Sequence, residues 1–144
     1  MTDIRQAESS DSAAILAMLQ EARLPTADLA GTSGLSFWVS EGDSGVIGAV
    51  ALENFGTTAL VRSLVVSPAY RGRGVASALV SRAELEAQRQ GTARLVLLTE
   101  TAQALFTRLG YRVIERNAVP DAVRQSAEFR SLCPASAVCM SKPI

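Results

Sequence analysis

Apolar and polar positions along the chain change period several times, and each change predicts an element. Residues Asp3 to Ala7 read as a short strand. "SSDSAAILAMLQEAR" then opens with Ser10 and Asp11, residues suited to capping a helix, and sets Ala14, Ile15, Met18, Leu19 and Ala22 on one helical face. Pro25 breaks that helix, and the stretch from Leu24 to Gly34 fits either a short second helix or a loop over a site. "SFWVSEGDSGVIGAVALENFG" predicts a hairpin, with strands Phe37 to Ser40 and Val46 to Glu53 around a turn of Gly, Asp and Ser. Residues Ala59 to Val66 form a further strand, ended by Pro68. Simple alternation puts Leu60, Arg62, Leu64 and Val66 on one face and Val61, Ser63 and Val65 on the other.

From Gly74 to Gln90 the apolar set Val75, Ala76, Leu79, Val80, Ala83 and Ala87 keeps a helical period, and Gly91 stands where a C-terminal cap belongs. "ARLVLLT" reads as a buried strand, "TAQALFTRLG" as a helix closed by glycine, and "YRVIE" as a strand. A helical stretch near Asp121 to Ser126 and a strand near Ala137 to Ser141 follow. Interleaved strands and helices place the chain in the α/β or α+β class. No repeat, linker or low-complexity tract interrupts residues 1–144, which are expected to form a single domain.

Composition narrows the function classes. Fourteen basic residues balance fourteen acidic ones, which disfavours a global pull toward nucleic acid or an anionic membrane, so anion binding must be local. The apolar runs are strand-sized and "MTDIRQAESSDS" has neither a basic nor an apolar leader region, so the expected location is the cytoplasm. There is no histidine, and Cys133 and Cys139 lie in an apolar context, so no metal is expected and both read as buried small residues.

"VVSPAYRGRGVASALV", residues 65 to 80, raises the question of a ligand, the alternative being a solvated connection whose glycines only make the turn and whose arginines only add solubility. A strand runs into a glycine- and arginine-rich turn and out into a helix whose first N–H groups lack intrahelical partners. Gly72 and Gly74 permit positive φ and clear the backbone, while Arg71 and Arg73 add charge, an arrangement suited to a pyrophosphate. Gly74 is followed by Val75 and Ala76, which excludes a Walker loop, and Gly72, Gly74 and Ser77 match a dinucleotide fingerprint poorly.

"SLVVSPAYRGRGVASALVSRAE" resembles the acetyl-CoA-binding motif of the GNAT acyltransferases, with Arg71, Gly74 and Ala76 filling its defining places. A second motif of that family is similar to Thr99, Ala102, Leu105, Phe106, Gly110 and Tyr111. "RSLVV", "LLTETAQALFTRLGY" and "SLCPASAVCMSK" further resemble the acetyltransferase domain of N-acetylglutamate synthases and the small GNAT proteins of arsenic-resistance operons. The resemblance implies a mixed, mostly antiparallel sheet of six to seven strands flanked by helices. It also implies acetyl-CoA as co-substrate, a small amine acceptor, and pairing of two copies through the C-terminal strand. The turn from Arg71 through Gly72, Arg73, Gly74 and Val75 to Ala76 would hold the pyrophosphate, and the strand edge at Leu64, Val65 and Val66 the pantetheine arm. Thr99 and Phe106 would also touch the cofactor, and the N–H of Val65 or Val66 the thioester carbonyl.

Acetyl transfer to an amine needs a neutral nucleophile and somewhere for its protons. Without histidine, Glu53 at a strand end is the first candidate base and Glu100 the second. Phe106 stands where many GNAT enzymes carry a tyrosine acid, so either the thiolate leaves without help or another hydroxyl such as Tyr111 substitutes, a core aromatic being the alternative for Tyr111. Arg62, costly in an apolar strand unless it meets an anion, is expected to bind the acceptor's acidic group, with a strand-surface salt bridge as the alternative. Ser63, of uncertain direction because this strand often carries a bulge in the family, and Leu24, Thr26 and Asp28 complete the acceptor candidates. The expected activity is N-acetylation of an amino acid or amino-acid-like compound, including an arsenic-bearing one. N-acetylglutamate synthesis and a catalytically silent acetyl-CoA sensor are the alternatives, and the zero net charge disfavours a nucleic-acid module.

Overall fold

The computed structural model describes residues 3–27, 29, 34–132 and 135–144. Its elements run β1 (Asp3–Gln6), α1 (Ser12–Glu21), β2 (Leu35–Gly42), β3 (Gly45–Phe55), β4 (Thr58–Val66), α2 (Val75–Arg89), β5 (Arg94–Thr99), α3 (Gln103–Arg108), β6 (Arg112–Val113), α4 (Asp121–Arg124) and β7 (Val138–Pro143). One seven-stranded sheet is ordered β1-β2-β3-β4-β5-β7-β6. Its pairs are antiparallel except for β4 beside β5, the mixed α/β architecture expected.

The helices form where the apolar spacing put them. Before α1, the Asp11 carboxylate accepts the N–H of Glu8 at 2.7 Å and grips Arg5 at 2.7 and 3.0 Å, tying the helix start to β1. α1 buries Ile15 and Leu19 against Val39, Ala49 and Val65 on one face of the sheet. α2 buries Val75, Leu79, Val80, Ala83 and Ala87 against Trp38, Val50, Leu52 and Val61 on the other. A further cluster joins Leu60 and Val96 to Val119, Val123, Phe129 and Cys139. Late elements are shorter than the pattern predicts: "YRVIE" supplies a strand of only two residues, and a π-helical turn at Glu128–Leu132 has no precursor in the periodicity. β7 lies between β5 and β6, so at Met140 and Ser141, where β6 pairs with it, the C-terminal strand offers no open edge to a second copy.

Strict alternation fails in β4. Ala49 pairs with Val65 but Ala51 pairs with Arg62, so β4 carries one extra residue, and Ser63 takes a left-handed φ of 58°. This β-bulge swaps faces along the strand. Ala49, Ala51 and Glu53 share one face of β3, so their partners Val65, Arg62 and Leu60 share it too, while Leu64 and Val66 pack toward the α2 side. The expected common face of Leu60, Arg62, Leu64 and Val66 is therefore split at Ser63.

β4 and β5 also part company. Their pairing stops after Leu60 and Val96, although β5 goes on beside β7 to Thr99. A cleft opens between the diverging halves. No helix among the described residues is long and apolar enough to cross a membrane.

Candidate active site

The cleft exposes backbone polarity from β4. The N–H of Ser67 donates to the carbonyl of Ile47 at 2.7 Å, so strand alternation turns Val66 away from β3. The Val66 carbonyl accepts Arg71 Nε at 3.2 Å on that open side, and its N–H faces the cleft with it.

At the end of β4 the cleft widens into a groove of about 800 Å³ lined by Leu64, Val65, Val66, Arg71, Gly72, Gly74, Val75, Ala76 and Arg108 among others. Gly74 caps α2 with φ 81° and Gly72 has φ 76°, conformations that side chains resist. A Cβ at either position would meet no protein atom within 4 Å, so the space beside this backbone is left open by the fold itself. No side chain caps α2, and its first N–H groups carry the helix's partial positive charge. Arg71 and Arg73 are exposed beside them, the latter with its guanidinium 5.3 Å from the ring centre of Tyr70. Open N–H groups, two arginines and a clear backbone together fit a diphosphate.

A second cavity, of about 390 Å³, adjoins the groove and is lined by Arg62, Ser63, Leu64, Thr99, Glu100, Phe106 and Glu128 among others. Arg23, Leu24, Leu64 and Ala102 border both spaces, which sets them side by side. Thr99 Oγ1 accepts the N–H of Ala102 at 2.9 Å, shaping the turn into α3, and Phe106 packs edge-on against Tyr111 at 5.2 Å between ring centres. Arg62 lies in the wall, its side chain 0% exposed. Its Nη1 donates to Glu53 Oε1 at 3.1 Å, and its Nε lies 3.6 Å from Glu128 Oε1. Both carboxylates are buried, so one guanidinium is held between two acids that offset its desolvation.

The structure thus unites Leu64, Val65, Val66, Arg71, Gly72, Gly74, Val75 and Ala76 around the groove, with Arg73 beside it, and Arg62, Ser63, Thr99 and Phe106 around the cavity. It moves others away. Tyr111 lines neither space: its hydroxyl donates to Glu84 Oε2 at 2.9 Å, and burial, with the Glu84 charge, pushes the phenol above its ordinary pKa. Such a phenol is committed to the core. Glu53, on β3, also lines neither space; its carboxylate turns to the Arg62 guanidinium. Arg62 reaches the cavity wall already paired with carboxylates, and that pairing is buried where the alternative reading placed it at the strand surface. Thr26 lines neither space, whereas Leu24 lines both. Asp28 and Cys133 lie outside the described residues. Among the described residues no group of three or more His, Cys, Asp or Glu could hold a metal ion.

Charged residues among the linings that the sequence reading missed include Arg23, Arg108 and Glu128. Arg23 leaves α1 with φ 61°, a conformation that glycine usually supplies, so no residue-type signal marked it. Glu128 sits on the π-helical turn, and no period announces one.

Comparison with known proteins agrees with this geometry. Residues 33–113 match the family model described as an acetyltransferase (GNAT) domain. The N-acetylglutamate synthase of Neisseria gonorrhoeae, complexed with coenzyme A and N-acetyl-glutamate, superposes with a TM-score of 0.83 at 22% identity, over 99% of this chain and 35% of that one. The chain thus spans about a third of that protein's length. Rv2747 from Mycobacterium tuberculosis, in complex with CoA, gives 0.82 at 24% identity over 99% of both chains. The ribosomal-protein-S18-alanine N-acetyltransferase of Escherichia coli gives 0.76 at 19% identity, over 100% of this chain and 94% of that one. No curated protein matches the chain by sequence.

Proposed function

We propose that this chain, which belongs to the GNAT acetyltransferase family, moves an acetyl group from acetyl-CoA to the amine of a small amino acid or amino-acid-like compound. The observation that carries the reading is that the groove at the open α2 N-terminus and a cavity of amino-acid size adjoin, with Leu64 in the lining of both. Acetyl-CoA supplies an activated acetyl thioester. In this reading the Arg71 to Ala76 turn holds its pyrophosphate and the open edge of β4 at Leu64 to Val66 its pantetheine arm. The Val66 N–H donates to the thioester oxygen as negative charge develops there, a contact that elsewhere contributes about 3 kcal/mol. Anchoring both substrates in adjoining spaces supplies the orientation that a two-substrate reaction requires.

A volume of about 390 Å³, with acidic and basic groups in its walls, favours a small polar acceptor over a folded protein surface. The resemblance to arsenic-operon proteins narrows this to an arsenic-bearing amino-acid analogue, and the resemblance to N-acetylglutamate synthases makes glutamate the other acid-bearing acceptor. We take residues 1–144 as one catalytic domain working in the cytoplasm. A silent acetyl-CoA sensor is favoured by Phe106, which gives the cavity a ring without a hydroxyl, and by the absence of histidine.

The test is acetyl-CoA-dependent thiol release against free amino acids, their phosphinic and arsenical analogues, peptides and aminoglycosides. Selective turnover of one small amine is expected. Acetyl-CoA binding with no turnover across the panel would replace the enzyme reading with the sensor.

A further inference from the structure

We infer that Glu128 receives the acceptor's amino group, holding it as an ammonium and then taking its proton. The inference rests on the acetyl-transfer reading above and supplies the proton acceptor that reading lacks.

The charge count in the cavity wall carries it. Arg62 brings one positive charge between two buried carboxylates, so with all three ionised the cluster holds one surplus negative charge in a poorly solvated place. The two acids are not equivalent. Glu128 lines the smaller cavity beside Arg62, whereas Glu53 lines neither space. The surplus is therefore displayed to the cavity through Glu128. Its side chain is 5% exposed, so an entering cation would meet it with little intervening water. Among the described residues, the other charged groups lining the cavity are Arg62 beneath, Arg23 at the shared rim, and Glu100, which accepts Ser136 Oγ at 3.2 Å. Arg23 and Glu100 are exposed and correspondingly screened. The π-helical turn that presents Glu128 belongs to a class of irregularity common at functional sites.

An ammonium beside Glu128 makes the cluster neutral, with two cations against two acids. Proton transfer then breaks one N–H bond and leaves its electron pair on nitrogen, with the proton on the Glu128 carboxylate. The remaining Arg62–Glu53 pair is itself neutral. The nitrogen pair forms the bond to the acetyl carbon, the C–S bond breaks with its electrons on sulfur, and the nitrogen's surplus proton passes to that thiolate to give free CoA. Glu128 returns its proton to water at the cavity mouth.

The test uses the full chain, acetyl-CoA, and whichever free L-amino acid the wild type turns over fastest. Glu128→Gln should bind acetyl-CoA within about twofold of wild type and lose about a hundredfold or more in kcat/KM at neutral pH. That deficit should shrink as pH rises toward the acceptor's own amine pKa, where no base is needed, and Glu128→Asp should restore part of the activity. A pH-independent deficit, undiminished turnover, or loss of acetyl-CoA binding in both variants would overturn the assignment. If Glu128→Gln does not fold, Glu128→Asp decides alone, by an acid limb of its pH profile that is displaced from wild type or, against the inference, unmoved. A wild type that binds acetyl-CoA but acetylates nothing removes the acetyl-transfer reading itself, whereas full turnover by Glu128→Gln removes only this inference.

Discussion

Replacing Arg62 by alanine should strike the fold before it strikes the substrate. The guanidinium is fully buried between Glu53 and Glu128, so truncation leaves two buried carboxylates without their counter-charge. Breaking one buried pair costs about 3–5 kcal/mol, and with two acids affected we expect the upper end, about 4–5 kcal/mol. For a chain of 144 residues, at about 3 °C per kcal/mol, the melting temperature should fall by about 12–15 °C. Trp38, the chain's single tryptophan and a buried one, reports unfolding by fluorescence in urea or on heating. Arg62→Met combined with Glu53→Gln and Glu128→Gln should recover much of the loss. A deficit below about 1 kcal/mol at neutral pH would refute the pairing.

Gly74→Glu should abolish acetyl-CoA binding measured by calorimetry, because its side chain enters the open groove as an anion; Gly74→Ala separates out the backbone cost, about 1–2 kcal/mol for a left-handed residue, and unchanged affinity in Gly74→Glu would remove the groove from consideration. Burial pushes the Cys139 thiol up to about 11, so in a Cys133→Ser background a thiol reagent at mildly alkaline pH should label the protein only as fast as it unfolds. The side-chain hydrogen bonds from Arg5, helped by the Glu8 N–H, hold the Asp11 carboxyl down to about 2. Its stabilisation is then complete above the ordinary aspartate value of about 3.9 and is lost as pH falls through the folded value, so the gap between wild type and Asp11→Asn in acid-unfolding curves should hold at neutral pH and close during acidification.

The cofactor side of the site was readable because its requirements are local. A strand end, two glycines at positive φ and an uncapped helix start are properties of consecutive residues, and Arg71 to Ala76 lie where their order implied. The acceptor side was not, and each miss has a distance in the chain behind it. Tyr111 is tied to Glu84 of α2 and Arg62 to Glu128 of the π-helical turn, partners that no window of neighbouring residues contains. β6 fell short of its pattern because it pairs with β7 only at Arg112 and Val113.

What the sequence determined by itself is the succession of elements from β1 through α2, the class of the sheet and the open glycine-arginine turn before α2, since hydrophobic period and backbone conformational preference act within a few residues. What only the tertiary structure decided is where the polar residues of β4 point and whom they meet. One left-handed residue, Ser63, inverts every side chain beyond it, and divergence from β5 turns a strand edge into a cleft. The fate of Arg62 then follows from long-range electrostatics: a buried guanidinium is tolerable only where distant segments bring it carboxylates, and the fold, not the local pattern, delivers them.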